Sequence, residues 1–348
     1  MRARDRVKGS HSDLPSGEAL GGVKSANSLR GRGEGDGPPL SKKSVRLATR
    51  VGRLELANPV LAASGTYGYG LDLLDFCPPE RLGGFVSKGL SPRPRAGNPT
   101  PRTVETAAGM INSIGLQNIG VEAFCRDAMP RLRERAAVVM VNVFGERPEE
   151  YVEVIARCEA EAGIAGYELN VSCPNVSAGG MEFGHDPAQL ERLTALCRAA
   201  TRLPLWVKLS PNAPHLIDTG KAAMAGGAEA LALINTLRAI AIDARARRPV
   251  LATAYGGLSG PAIKPIALRM VWDVHKALPG APLVGIGGIE TGRDVAEFLL
   301  AGASAVQVGT AIFRDPAAPL RILGELERFC AEGGVTDVTE LIGGLQWR

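Results

Sequence analysis

From residue 59 onward the chain alternates two kinds of segment. Short apolar, β-rich runs fall at 59–63, 84–88, 137–143, 166–171, 205–209, 230–235, 283–286 and 305–308. Longer amphipathic stretches lie between most of them, at 121–135, 148–162, 187–200, 215–225, 261–277 and 292–300, and a last one at about 316–332 closes the chain. Pro148, Pro187 and Pro261 stand where a first helical turn tolerates proline. The short runs are apolar throughout rather than alternating, which predicts parallel strands covered on both faces. Eight such units in about 290 residues predict a single (β/α)8 TIM barrel of the α/β class; an open doubly wound sheet is the alternative. Two departures from the rhythm are visible. Residues 45–48 and 53–56 alternate around Gly52, which predicts an N-terminal β-hairpin. The gap between Lys88 and residue 137 is too long for one crossover, so an insertion at 92–116 follows strand two.

Charge changes the picture at one end. The net formal charge is +4, and residues 1–44 carry nine Lys/Arg against five Asp/Glu, so the remainder is neutral. The folded part has no basic field, and nucleic acid is not an expected partner. Residues 1–44 are rich in Gly, Ser and charge and lack aromatics. Such a stretch buries too little to offset chain entropy and reads as a disordered tail, with 45–348 as the folded domain. The six cysteines are scattered with no C-x-x-C spacing. With no secretory signal and no membrane-length apolar segment, they fit a reducing cytoplasm.

In a barrel the C-terminal ends of the strands converge on one mouth. Here they read Ala63-Ser64-Gly65, Ser87-Lys88-Gly89, Asn142-Val143-Phe144-Gly145, Asn170-Val171-Ser172-Cys173, Lys208-Leu209-Ser210, Asn235-Thr236, Gly285-Ile286-Gly287-Gly288 and Gly309-Thr310. Three asparagines and two lysines thus face one space. Buried amides need partners, and a large planar ligand rich in donors and acceptors would supply them. Gly287, Gly288, Gly309 and Thr310 follow strands seven and eight, where barrels hold phosphate, and Gly260 opens another helix nearby. The plain structural reading is that these are turn glycines. Cys173 is a workable proton acceptor if its thiol pKa is pulled down; the plain reading is a small buried filler. No acid pair, Ser-His-Asp trio or metal cluster occurs at the strand ends, and His11, His185, His215 and His275 fall outside them. Hydrolytic and metal-dependent schemes lose support, and no metal site is expected. A phosphate site, an amide-lined mouth and one cysteine point to an FMN enzyme.

At these residues the chain resembles dihydroorotate dehydrogenase, class 1, from about Val45 to the C-terminus. The motifs that carry the resemblance are Ala63-Ser64-Gly65, Asn112-Ser113-Ile114-Gly115-Leu116-Gln117-Asn118, Asn170-Val171-Ser172-Cys173-Pro174-Asn175, Val207-Lys208-Leu209-Ser210-Pro211-Asn212 and the stretch 285–289. Residues 175–184 look like the 1B subclass rather than the fumarate-using 1A subclass. Class 2 members, which are membrane-associated, place serine where this chain has Cys173. The resemblance implies oxidation of (S)-dihydroorotate to orotate in pyrimidine (UMP) biosynthesis, with one FMN per chain. Cys173 would take the C5 proton while hydride leaves C6 for the flavin. Asn112, Asn170, Asn235 and Thr236 would bind the pyrimidine ring and its carboxylate, with Ser113, Ile114, Gly115 and Leu116 closing over it. Lys88 would lie between substrate and flavin. Lys208 would sit by the flavin N1–O2 edge, where a fixed ammonium favours the anionic reduced form. Ser64, Gly89, Asn142, Ile234, Gly260, Gly287, Gly288, Gly309 and Thr310, together with Lys88 and Asn170, would hold the cofactor. Asn118 and Asn175 read as cap or turn residues.

The 1B subclass passes electrons to NAD+ through a second subunit bearing FAD and a 2Fe–2S cluster. This chain lacks cysteines spaced for that cluster and a Rossmann fingerprint after its first strand. The resemblance therefore implies an iron–sulfur flavoprotein electron-transfer partner, in an assembly of two catalytic and two electron-transfer chains. Two rivals remain: another FMN barrel reductase acting on a dihydropyrimidine, and a barrel without catalysis that only binds a partner.

Overall fold

The eight apolar runs become the staves of a closed parallel barrel. In this computed structural model the strands are β1 (Val60–Ala62), β2 (Gly84–Val86), β3 (Val139–Val143), β4 (Ile164–Asn170), β5 (Leu205–Lys208), β6 (Ala230–Leu233), β7 (Leu283–Ile286) and β8 (Ala305–Val308). Each pairs in parallel with its chain neighbour, and β8 returns to β1 with Val308 opposite Ala62. That last pairing separates a barrel from an open sheet. The structure describes residues 45–346 except 173 and 176–180. The expected disordered tail, residues 1–44, lies outside the described residues, as does Cys173.

The strands are apolar throughout because they serve two cores at once. Leu61, Val86, Met140, Trp206, Ala232, Val284 and Ala305 pack inside the barrel. Residues of the opposite parity, such as Phe85, Val141, Leu169, Val207 and Val306, pack outward in the layer shared with the helices. The helices follow the predicted spacing. They are Pro148–Glu159, Pro187–Ala200, Leu216–Ala225, Lys264–Ala277, Gly292–Leu300 and Ala318–Glu332, preceded by a run of Val121–Ala123, Phe124–Ala128 and Met129–Glu134 whose middle segment is a π turn. Pro148 and Pro187 each occupy a first helical turn. Pro261 instead opens a 3-10 turn, Pro261–Ile263, ahead of its helix.

The N-terminal hairpin exists, but its first arm is displaced from the predicted 45–48. The strands are Thr49–Val51 and Leu54–Leu56, with Val51 opposite Leu54. A two-residue turn at Gly52 and Arg53, with Gly52 at φ 59°, starts both arms immediately beside it. Val51 and Leu56 then close the lower end of the barrel interior. Arg46 bridges to Asp337 instead, with its guanidinium 2.8 Å from the carboxylate.

Two insertions shape the other end. The predicted one supplies the strands Thr103–Thr106 and Gly109–Asn112. A second, after β6, supplies Leu237–Ile240 and Tyr255–Ser259, and no apolar rhythm announces it. Together they form one antiparallel sheet in the order Leu237–Ile240, Tyr255–Ser259, Gly109–Asn112, Thr103–Thr106. Residues of three of these strands, Thr103, Met110, Asn112 and Ser259, line the cavity at the barrel mouth.

Candidate active site

A cavity of about 600 Å³ opens at the C-terminal ends of the barrel strands. Every described residue expected to bind substrate lines it: Lys88, Asn112, Ser113, Ile114, Gly115, Leu116, Asn170, Asn235 and Thr236. So does every residue expected to hold a cofactor: Ser64, Gly89, Asn142, Lys208, Ile234, Gly260, Gly287, Gly288, Gly309 and Thr310. Cys173 is the remaining candidate, and it lies outside the described residues; Ser172, its neighbour in sequence, lines the same cavity.

The strand period explains the gathering. Inward positions recur every two residues, so a polar residue ending an inward register points into the mouth. Lys208 pairs in register with Asn170, and Asn142 with Glu168, so polar groups from adjacent strands form rings across the barrel. Asn235 Nδ2 donates to Ser172 Oγ at 3.0 Å and to Asn170 Oδ1 at 3.4 Å. Thr236 N donates to Asn235 Oδ1 at 2.8 Å, and Asn212 Nδ2 to the Thr236 carbonyl at 3.1 Å. These bonds fix the Asn170 and Asn235 amides and the Ser172 hydroxyl on one wall of the cavity, with Asn212 behind them.

The opposing wall comes from the insertions. Asn112 Nδ2 donates to the Gly257 carbonyl at 3.3 Å, tying one insertion to the other. Gly257 is required at that spot, since a Cβ there would lie 2.0 Å from Thr236 Oγ1. Ser113 Oγ accepts from Asn98 Nδ2 at 2.9 Å and from Thr253 Oγ1 at 2.7 Å. The loop through Ile114, Gly115 and Leu116 is held at the Ile114 carbonyl by Asn98 N at 3.0 Å. Leu116 has φ 58°, an uncommon conformation for a leucine that holds only where its surroundings enforce it. Asn98, Ser172 and Ser259 were not among the expected ligands. Asn98 lies inside the insertion with no strand end to single it out.

Two cations enter the cavity. Lys88 has its ammonium pKa lowered, first by burial and then by the nearby Arg102 guanidinium, with Asp72 opposing. Lys208 is buried, and its Nζ lies 3.7 Å from Oε1 of the fully buried Glu168. Glu168 also accepts from Asn142 Nδ2 at 2.8 Å and from Gln307 Nε2 at 2.5 Å. Neither Glu168 nor Gln307 was expected. Each is a lone polar residue within an apolar run, with no motif to separate function from tolerance.

The residues fit a flavin nucleotide on three observations. Asn142 spends Nδ2 on Glu168, and its buried Oδ1 has no hydrogen-bond partner. A buried acceptor of this kind calls for a donor, and Asn142 faces the cavity. Gly65 and Gly309 leave open space, since a Cβ at Gly65 would meet nothing within 4 Å and one at Gly309 would find its nearest neighbour at 3.5 Å. Side chains there would fill room a ligand needs. Gly260 and Gly288, by contrast, answer to packing as well. A Cβ on Gly288 would sit 2.8 Å from the Gly260 carbonyl, and both have positive φ, 93° and 70°. These two turns and Gly309-Thr310 converge on one end of the cavity beside the start of helix Lys264–Ala277, the surroundings that favour an anion.

The family model for dihydroorotate dehydrogenase matches residues 46–330 of the chain. A relative from Geobacter sp. (strain M21), described as dihydroorotate dehydrogenase B (NAD(+)), catalytic subunit, is 52% identical over 300 residues, which is 86% of this chain and 98% of that one. A relative from Solibacter usitatus is 54% identical over 303 residues, covering 87% of this chain and 99% of its own, and carries the provisional name dihydroorotate dehydrogenase A (fumarate). Among solved structures, a DHODH from Eimeria tenella in complex with ferulenol superposes with a TM-score of 0.71 at 24% identity, covering 88% of this chain and 90% of that one, a likeness of fold.

Proposed function

The chain belongs to the dihydroorotate dehydrogenase family, and on that premise we propose that it is the catalytic subunit of a class 1B enzyme, oxidising (S)-dihydroorotate to orotate. The observation that carries this reading is the single cavity that joins the amide wall, two lysines and the glycine turns. FMN, when bound there, supplies the hydride acceptor, and Ser64, Gly89, Asn142, Lys208, Ile234, Gly260, Gly287, Gly288, Gly309 and Thr310 hold it. Cys173 is the general base: it takes the C5 proton as C6 gives up hydride, leaving the C5=C6 double bond of orotate. Asn112, Asn170, Asn235 and Thr236 bind the planar amide edges of the ring. The same four residues meet the substrate carboxylate, Lys88 lies between substrate and flavin, and the 113–116 loop closes over the ring and excludes water, which strengthens the attraction between the Lys88 ammonium and that carboxylate.

The name of the Geobacter relative, an NAD(+) enzyme's catalytic subunit, supports NAD+ as the final acceptor and a separate partner chain; that this partner would be an iron–sulfur flavoprotein is what the family resemblance implies. The provisional fumarate name of another relative makes the alternative acceptor specific. The purified chain, loaded with FMN and given a dye acceptor, is expected to prefer dihydroorotate over dihydrouracil. Preference for dihydrouracil would replace the substrate with a neutral dihydropyrimidine. Rapid turnover with fumarate by the lone chain would replace the B-type acceptor with the A-type one.

A further inference from the structure

Glu168 is a buried charge that does not itself line the cavity. It stands in β4 two residues before Asn170 and is wholly inaccessible to solvent. Its three polar neighbours come from three other strands: Asn142 from β3, Lys208 from β5 and Gln307 from β8. Taking a carboxylate out of water is costly before pairing is counted, and hydrocarbon of the same volume often serves stability better. The position therefore calls for a reason other than packing.

The reason lies in what the neighbours present to the cavity. Asn142 Nδ2 is committed to Glu168, so its Oδ1 is the atom left over, and that atom is buried and unpartnered. A Cβ on Gly89, itself a cavity residue, would lie 2.9 Å from this Oδ1. The carboxylate thus decides which end of the Asn142 amide meets a ligand. Lys208 Nζ, at 3.7 Å, is close enough to feel the carboxylate charge and too far to be consumed by a hydrogen bond.

We propose that Glu168 is a positioning residue for the cofactor, presenting Asn142 as an acceptor and offsetting the Lys208 ammonium so that the flavin feels a partly compensated cation. This rests on the FMN reading above. The flavin's reduction is then set by a pair of opposed charges rather than by Lys208 alone.

Glu168→Gln tests it, because the change is nearly isosteric. It deletes the negative charge and turns one acceptor into a donor, so Asn142 or Gln307 must turn over to avoid two facing N–H groups. At a fixed ambient potential, the reduced-to-oxidised ratio of bound FMN is expected to rise on the order of tenfold, which for a two-electron couple is about 30 mV. FMN release, followed by its fluorescence, is expected to become several-fold easier. Glu168→Asp keeps the charge and is expected to hold the ratio within about twofold of wild type. A purely structural role would lower the melting temperature of Glu168→Gln and leave the ratio unmoved. Where Glu168→Gln alone does not accumulate, the double variant Lys208→Gln/Glu168→Gln, which leaves no lone buried charge, is compared with Lys208→Gln. The double variant is expected to be the more readily reduced, again by about tenfold. Matched ratios in either comparison overturn the proposal while leaving FMN binding in place. A wild-type chain that takes up no FMN overturns the cofactor reading itself and this proposal with it.

Discussion

Asn142 carries one amide with two obligations, and they settle each other. The nitrogen is held by a carboxylate, so the oxygen is offered to whatever fills the cavity. Residues of this kind are legible in the sequence as positions, though not their partners. A lysine or asparagine at the end of an apolar strand is costly unless something pairs with it, so Lys88, Lys208, Asn142, Asn170 and Asn235 stood out. Glu168 and Gln307 did not, because a single polar residue inside an apolar run has no local signature, and its partners come from strands distant in sequence. Cys173 belongs to this scale. Cys173→Ala is expected to retain bound FMN and to lose dihydroorotate oxidation by about 10²–10⁴-fold, the usual contribution of a positioned base. Stopped-flow reduction of the bound flavin by dihydroorotate is the measurement. A rate near wild type would take the role from this residue.

Helix Gly292–Leu300 shows how an element is held in place beside the site. Thr291 Oγ1 accepts from Asp294 N at 3.2 Å, and Asp294 returns a bond from Thr291 N at 2.8 Å, a reciprocal cap. Asp294 also sits 2.5 Å from Lys264 Nζ, joining this helix to the start of helix Lys264–Ala277. Burial opposes ionisation of Asp294, but the Lys264 ammonium and the N–H donors of Glu290 and Thr291 outweigh it, so its pKa falls below the ordinary 3.8. A carboxylate whose folded pKa is depressed stabilises fully above its unfolded value and loses that contribution as pH falls through the folded one. Asp294→Asn is therefore expected to cost about 1–3 kcal/mol at neutral pH, from a weakened cap and the loss of one of the two carboxylates that Lys264 bonds, Glu297 remaining at 2.8 Å. The difference from wild type is expected to shrink as the pH drops below 3.8, which urea melts across pH would read. A constant difference would mean that the charge plays no part.

At the same scale the insertions mark the limit of pattern reading. The 92–116 segment was legible as excess length but not as strands. The 236–260 segment offers only its end residues, Thr236 and Gly260, and nothing in its sequence marks an insertion or its strands. Its strand Leu237–Ile240 is half exposed, and Tyr255–Ser259 carries two glycines, so neither offers the apolar run or clean alternation that marks a strand. Their order comes from pairing with each other across more than a hundred residues, as Gly257 pairs with Asn112. The displaced hairpin has a similar cause: alternation was present on both sides of Gly52, and turn geometry, not alternation, chose the register.

For the whole molecule, the barrel from residue 45 onward contains every described residue assigned to substrate or cofactor. Removal of residues 1–40 is accordingly expected to leave both flavin content and dihydroorotate turnover within about twofold of the full chain, since the excised stretch has the composition of a segment without a core. Absorbance at the flavin maximum and the dye-coupled assay read the two quantities, and loss of either would give those residues a working role.

The barrel itself was written in the chain. Eight apolar runs of strand length, separated by amphipathic stretches, can bury their two faces only between an inner core and a ring of helices, so periodicity alone implied parallel strands under helices. Which residues end those strands is also a matter of sequence, and with it the polar inventory of the mouth. Closure, partner choice and the opposing wall were decided in three dimensions. The β8–β1 pairing, the four-strand meeting at Glu168 and the insertion sheet all join segments far apart along the chain. Local pattern records how much apolar surface a segment must hide; only the assembled fold determines which distant segment covers it.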